Sequence, residues 1–519
     1  MAHEWLDKAV FYEIYPQTFN DTNADGIGDL QGIIEKLDYV KELGCNALWL
    51  NPVYDSAFVD AGYDVRDYYK IAPRYGTNED MRRLAEEVHD RGMHIILDLV
   101  PGHSSVECEW FKESCKPEKN KYSDRYIWTR SIWECPANVG HISGWLRGGY
   151  DRQGCAALNF FTAQVALNYG FAKKDPGCEW EQDINDEGPL STRKEIANIM
   201  KFWLGMGIDG FRVDMAGSLV KNDEDGAGTI AVWQDILGKV KGEYPEAVFV
   251  SEWGEPDKAL KAGFDMDFLL HFGPSHYPDL FRTEHPYFSS KGEGNLDIFW
   301  KNYLENRRKT LADGGMICLI SGNHDMDRIR SVLTEEEVRV GFAFLLSMPG
   351  VPFIYNGDEI GIRQQYFPYS KEGSFWRTGA RTPMQWDATL NAGFSSARPE
   401  DLYLSIDEEG YRTINAEYEM ADENSLYHEV QDLISIRQSH SALSNRADLK
   451  MISYEGYPLV YERESADEKI LVVINAKAED ALITADCTGE VIYSYNGNTL
   501  DVKEEGTVIP GCSAFFIRK

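Results

Sequence analysis

Eight short runs rich in Val, Ile, Leu and Phe recur along most of the chain, with longer stretches between them. No other feature of the sequence limits the possible folds as much. The runs are VFYEIYPQTF from Val10, ALWLNPV from Ala47, HIILDLV from His94, GFRVDMA from Gly210, VFVSEW from Val248, MDFLLHF from Met266, MICLISG from Met316 and PFIYNGDEI from Pro352. Continuous apolar runs, as opposed to alternating ones, mark strands buried on both faces, the condition of a parallel sheet. Helical patterns lie between them at 30–44, 78–92, 193–207 and 335–348, and the first three end in Gly, a common helix terminator. Eight such strands alternating with helices read as an α/β fold, a (β/α)₈ TIM barrel.

Two stretches depart from the pattern. Between Val100 and Gly210 the chain is longer than one helix needs and is rich in Trp, Tyr, Gly and Cys. Long insertions in compact domains are usually functional. This predicts an inserted small domain over 104–180. Near the end, LVYERE, KILVVINA, EVIYSYNG and CSAFFIRK read as short antiparallel strands separated by turns. The expected organisation is a barrel built from 1–103 and 181–446, the insertion at 104–180, and a C-terminal antiparallel β-sandwich at 447–519.

A net charge of −33 argues against nucleic acid and anionic lipid as partners. The start, MAHEWLDKAVFYEIYPQTF, has neither the basic residues nor the apolar core of a secretory leader, and no run of 18 apolar residues occurs. The expectation is a cytoplasmic protein without a membrane partner. Its nine cysteines form no CxxC pair, so they read as free thiols in a reducing compartment. Oligomeric state is not specified by the sequence.

In a barrel of this kind the active site lies at the C-terminal ends of the strands. Four strands end in polar residues there: Asp98 and His103 after the third, Arg212 and Asp214 on the fourth, Glu252 on the fifth, and His324 with Asp325 after the seventh. Any one carboxylate alone reads as a helix cap or a surface charge. Four such elements in one register do not. Arg212 and Asp214 are two apart on a strand and so share a side, which lets the guanidinium keep the carboxylate ionised. Retaining glycosidases need two carboxyls about 5–5.5 Å apart, one an ionised nucleophile and one an acid. Adjacent strand ends supply such a pair.

DLVPGH, GFRVDMA, SEWG and SGNHD resemble the four strand-end motifs of the α-amylase superfamily, glycoside hydrolase family thirteen, in the same order. The resemblance covers essentially the whole chain. It implies that Asp214 is the nucleophile, Glu252 the acid/base and Asp325 the transition-state stabiliser. It also implies that Arg212, His103 and His324 contact the sugar, that Tyr63 stacks beneath it, and that Asp98 supports the others.

AFVDAGYDVRDY and ARTPMQWD resemble segments of the oligo-1,6-glucosidase, α-glucosidase and trehalose synthase branch. In that branch an Asp and an Arg at these places hold the terminal glucose and close the pocket; here they match Asp60 and Arg381. QVALN stands where relatives carry QPDLN, with Val165 and Ala166 as the differences, so the resemblance is to an intermediate subgroup. Phe160 and Gln164 are further candidate substrate contacts. Met215, after the nucleophile, leaves the preferred linkage open. Gly217 and Ser218 stand where endo-acting amylases often carry Lys-His.

DTNADGIGD puts oxygens at Asp21, Asn23, Asp25 and Asp29, with the Ile27 carbonyl between them and Gly26 and Gly28 allowing a tight turn. Hard oxygen ligands at such spacing suit Ca²⁺. The resemblance also implies a structural calcium ion there; the competing reading is a plain Asp/Asn/Gly turn. The leading expectation for function is an exo-acting α-glucosidase on short α-linked gluco-oligosaccharides. The alternatives are a transglycosylase or isomerase such as a trehalose synthase, an endo-acting α-amylase, and a non-catalytic carbohydrate-binding or scaffold protein.

Overall fold

The computed structural model describes residues 3–137, 139–497, 500–503 and 505–519. Eight parallel strands close into a barrel: β1 (Phe11–Ile14), β2 (Ala47–Leu50), β3 (His94–Leu99), β4 (Gly210–Val213), β5 (Val248–Ser251), β6 (Met266–Phe268), β7 (Met316–Ile320) and β8 (Val351–Tyr355). Each strand pairs with its neighbours in sequence, and β1 pairs with β8 to close the ring. The eight apolar runs are these eight strands. All but one of their residues are buried, His94 at the start of β3 being the exception. Phe11 and Phe353 stack face to face at 4.4 Å where the ring closes.

The helices differ from the expected spans at their ends. The 30–44 stretch is two helices, Leu30–Glu35 and Leu37–Leu43, broken at Lys36, and it ends on Gly44 at φ 102°. The 193–207 pattern begins earlier, as Glu187–Leu204. Gly188 and Pro189 lie within this earlier start. In the fold they occupy the first turn, where a missing N–H costs nothing because those donors have no partner within the helix. Asn78–Asp90 and Glu335–Ser347 each open with a Thr capping box, at Thr77 and Thr334.

Between β3 and β4 the chain forms a four-stranded antiparallel sheet, from His103–Ser105, Gly144–Arg147, Cys155–Leu158 and Gln164–Ala166. Its first and last strands pair directly, His103 opposite Ala166. The insertion is thereby laced onto the end of β3, above the barrel mouth. At the C-terminus a five-stranded and a three-stranded antiparallel sheet share one apolar cluster that includes Val460, Leu471, Ile483, Ile509 and Phe515, which makes them a sandwich. All nine cysteines are free thiols.

Gly210 starts β4 because a side chain has no room there: a Cβ would lie 1.9 Å from the Val248 carbonyl oxygen on β5. That neighbour is barrel backbone and cannot swing aside. Gly210→Ala is expected to lose at least the about 1–3 kcal/mol typical of overpacking, seen as a lower denaturant midpoint. An unchanged midpoint would show that the β4–β5 contact yields freely.

Candidate active site

The strand register assembles the site. Arg212 lies opposite Asp98 on β3, and Val213 lies opposite Ser251 on β5. Asp214 and Glu252 are then the next rung on adjacent strands. Their amides continue the ladder, Asp214 to the Leu99 carbonyl at 2.8 Å and Glu252 to the Val213 carbonyl at 2.9 Å. The Arg212 guanidinium joins the three carboxylates. Its Nη1 donates to Asp98 Oδ1 at 2.7 Å and Asp214 Oδ1 at 3.2 Å, and its Nη2 lies 2.8 Å from Glu252 Oε2. One planar cation that bridges Asp214 and Glu252 keeps both on the same small space, as a retaining pair requires.

Burial raises the Asp214 carboxyl, and the adjacent Glu252 carboxylate adds to the effect against the pull of Arg212. Ionising Asp214 is therefore resisted by its burial and by the carboxylate beside it, and favoured by Arg212. Asp98 is pushed up to about 6, by burial against the opposing Arg212.

Asp325 has the reverse electrostatics. Burial would raise it, but His324, Arg377 and Arg381 outweigh burial and hold it far below the usual carboxylate range. Since burial keeps His324 itself from charging, the two guanidiniums carry this effect. Arg377 Nη1 and Arg381 Nη2 donate to the same Asp325 oxygen at 2.7 and 2.8 Å.

The structure corrects one pairing. Arg381 does not face Asp60: its Nε donates to the His324 carbonyl and its Nη1 to Ser374 Oγ, behind Asp325. The guanidinium nearest Asp60 belongs to Arg377, at 3.6 Å. Asp60 also accepts from Gln164 Nε2 at 2.7 Å and is pushed up to about 6 by burial, against Arg377 and Arg381. Arg377 precedes ARTPMQWD and lies outside the segment that carries the resemblance.

His103 donates from Nε2 to the Tyr63 carbonyl at 2.8 Å, which leaves Nδ1 to accept from Asn159 at 3.1 Å. Burial, helped by Lys221, holds this imidazole down at about 4, so it is neutral. The Tyr63 ring stacks on His324 at 5.4 Å, and its hydroxyl donates to Asp98 at 2.9 Å. His324 uses both nitrogens inside the protein, Nδ1 at Glu13 (2.8 Å) and Nε2 at the Tyr63 hydroxyl (2.7 Å).

These elements enclose a cavity of about 290 Å³. Of the residues named from the sequence, Asp60, Tyr63, His103, Phe160, Gln164, Asp214, Glu252 and Asp325 line it. Arg212, His324, Arg381 and Asp98 do not. Each is fully buried just behind the wall and holds a lining residue: Arg212 holds Asp214 and Glu252, His324 and Asp98 hold Tyr63, and Arg381 holds Asp325. The sequence reading missed His271, Phe272, Trp376 and Arg377, all of which line the cavity. His271 and Phe272 close the run MDFLLHF that forms β6, and the rule that selected Asp214 and Glu252, polar groups at strand ends, would have found His271.

The DTNADGIGD loop folds back on itself. Asp21, Asn23 and Asp25 each accept, through Oδ1, the amide two residues on, at 2.9–3.0 Å. Asp29 accepts from the Thr22 amide and caps the following helix through Gly32. Among the described residues no group of three or more His, Cys, Asp or Glu side chains is placed to hold a metal ion. In this conformation the loop's carboxylates serve backbone amides.

Residues 13–446 match the family described as alpha amylase, catalytic domain. The chain is 35% identical to an oligo-1,6-glucosidase of Heyndrickxia coagulans, over 91% of this chain and 92% of that one. It is 31% identical to a glucan 1,6-alpha-glucosidase of Streptococcus pneumoniae, over 98% of each. Its fold is similar to that of the trehalulose synthase MutB from Pseudomonas mesoacidophila, with a TM-score of 0.81 and 26% identity over 99% of both chains.

The two arginines beside Asp325 are expected to behave differently on truncation. Arg381→Ala leaves half-buried Asp325 and the His324 carbonyl without their inner, fully buried partner, a loss that approaches the about 3–5 kcal/mol of a broken buried pair. Arg377 lies in the cavity wall, where water can replace it, and Arg377→Ala is expected to cost less than half as much. Equilibrium denaturation of both variants checks this, and the reverse order would contradict the placement.

Proposed function

The chain belongs to the alpha-amylase catalytic-domain family, and on that premise we propose that it is a retaining, exo-acting α-glucosidase. It releases glucose from the non-reducing ends of short α-linked gluco-oligosaccharides. The observation that carries the reading is the joint geometry of the site. One guanidinium holds Asp214 and Glu252 together, and a second, Arg377, ties Asp325 to Asp60 across the cavity. The first arrangement suits double displacement. The second closes one end, so a chain enters by its terminal sugar only.

In the reaction Asp214 attacks the anomeric carbon while Glu252 gives its proton to the leaving oxygen. Water then attacks the glucosyl ester and returns a proton to Glu252. Asp325, kept ionised by its arginines, stabilises the positive charge that the sugar ring develops in the transition state of each step. Asp60 and Arg377 bind hydroxyls of the terminal glucose with the directional, charge-assisted bonds that such a wall offers. The names of the two relatives support α-1,6 linkages among the substrates. An isomerase would pass through the same glucosyl ester, and the products formed from maltose, isomaltose, sucrose and starch separate the readings. Glucose from the short substrates, with little loss of starch viscosity, is expected. Isomerised disaccharide with little glucose would replace the proposal with the isomerase.

A cytoplasmic location belongs to the same proposal and is supported by nine cysteines, an odd number, with no CxxC pair. Among the described residues no helix is long and apolar enough to cross a membrane. A structural calcium ion in the loop of Asp21, Asn23, Asp25, Ile27 and Asp29 is a further proposal, supported by the alternation of oxygen donors. On binding, the ion would take over carboxylate oxygens now accepting amides.

Asp214→Ala and Glu252→Gln are each expected to lower kcat at least about 10³-fold, measured on an α-glucoside with the fold checked by circular dichroism; retained activity in either removes the mechanism. If the loop holds calcium, a chelator lowers the melting temperature and added Ca²⁺ restores it. A melting temperature indifferent to both leaves the loop as a turn closed by its own amides.

A further inference from the structure

Glu252 stands just beyond the end of β5, so strand pairing does not hold it from both sides. On the β4 side the backbone does the holding. The Glu252 amide donates to the Val213 carbonyl at 2.9 Å, and the Glu252 carbonyl accepts from the Ala216 amide at 3.0 Å. The flanking residues, Ser251 and Trp253, turn instead to β6, and there the partner is a side chain. Asp267, in register with Ser251, accepts through Oδ1 from the Ser251 hydroxyl at 2.7 Å and from the Trp253 amide at 3.0 Å. One oxygen thus clamps the residue before Glu252 to the residue after it.

Asp267 is an expensive choice for this position. It is fully buried, and its neighbours on β6, Met266 and Phe268, are apolar. Its bonded oxygen takes a hydroxyl and an amide but no guanidinium, and Oδ2 is buried without a partner. Burial pushes this carboxyl up to about 8, against the bonds from Ser251 and Trp253. At neutral pH it is therefore an uncharged acid, and it brings no further negative charge to Glu252. An apolar residue would avoid the cost of burying a carboxyl but would leave the Trp253 amide unpaired. The chain turns at once after the clamp, at Gly254 with φ 76°, so the β5–β6 ladder does not go on to secure Trp253.

Resting on the α-glucosidase reading, we propose that Asp267 is a positioning residue for the acid/base. By gripping Ser251 and Trp253 together it fixes the Glu252 backbone, and with it the point from which the proton reaches the leaving oxygen. Arg212 grips the same residue by its carboxylate. Asp267 itself lies outside the cavity wall. Its effect on the reaction passes through Glu252 alone, because proton transfer tolerates little misplacement of the donor.

The test separates proton donation from everything else the site does. A sugar leaving group needs the proton of Glu252, whereas fluoride departs from α-glucosyl fluoride with little help. For both substrates kcat/KM reports the step in which Asp214 attacks. The full chain is assayed with α-glucosyl fluoride and with maltose or isomaltose, whichever the unmodified protein cleaves faster. In Asp267→Ala, kcat/KM on the disaccharide is expected to fall at least about tenfold further than on the fluoride. Asp267→Asn keeps an uncharged acceptor of the same shape and is expected to recover most of that difference. The ratio is read within one preparation, so a smaller folded fraction does not move it. Asp267→Val, with more of the side-chain volume filled, replaces the alanine variant where that one does not fold. An equal fall on both substrates, no fall on either, or an asparagine variant as impaired as the alanine one overturns the positioning role and leaves the α-glucosidase reading intact. An unmodified protein that consumes neither disaccharide overturns that reading, and the inference with it.

Discussion

Arg212 is a buried cation among three buried carboxylates, and the rest of the site depends on it. An arginine so enclosed is stabilised only if its partners are charged and well placed, because removing an ion from water is expensive. Asp98 is the inner partner, and Trp49 packs against the guanidinium from below at 5.1 Å. These contacts fix the plane of the guanidinium, and that plane fixes Asp214 and Glu252. The position of the two reacting carboxylates is thus set by strand register and one side chain, without any loop having to close.

The second constraint is the partition of charge. Asp325 shares two guanidiniums and stays ionised. Asp214 and Glu252 share one with Asp98, so not all three can be charged without cost. Asp325 is half-buried where the other three are buried, and it also has more cations to itself. A site that must hold one proton and one free carboxylate beside a permanently charged third needs this asymmetry. Arg381 serves it from behind, and Arg377 serves it while also forming the cavity wall.

The insertion has a mechanical role that follows from its pairing. Its first strand leaves β3 through His103, and its last strand brings Gln164 back beside it. Gln164 then reaches Asp60, on the segment after β2. Elements far apart in the sequence are thereby tied into one wall, and Phe160, Phe272 and Trp376, drawn from the insertion and from the segments after β6 and β8, complete the lining of the cavity.

Much of this was legible in the chain. The eight strands are continuous apolar runs because both of their faces are covered, and the reacting carboxylates stand at fixed offsets from them, so local pattern alone located Asp98, Asp214 and Glu252. Residues between elements carry no such period. ARTPMQWD points to Arg381, while Arg377, four residues earlier, meets Asp60; only the path of the segment after β8 decides which guanidinium points inward. His324 was readable as a strand-end polar group, but not its burial behind Tyr63. What the sequence determined is the barrel and the order of its strand ends, because these follow from periodicity and side-chain polarity. Which loop residues share a cavity was decided by the tertiary structure, because their meeting depends on the closure of the ring and not on any spacing along the chain.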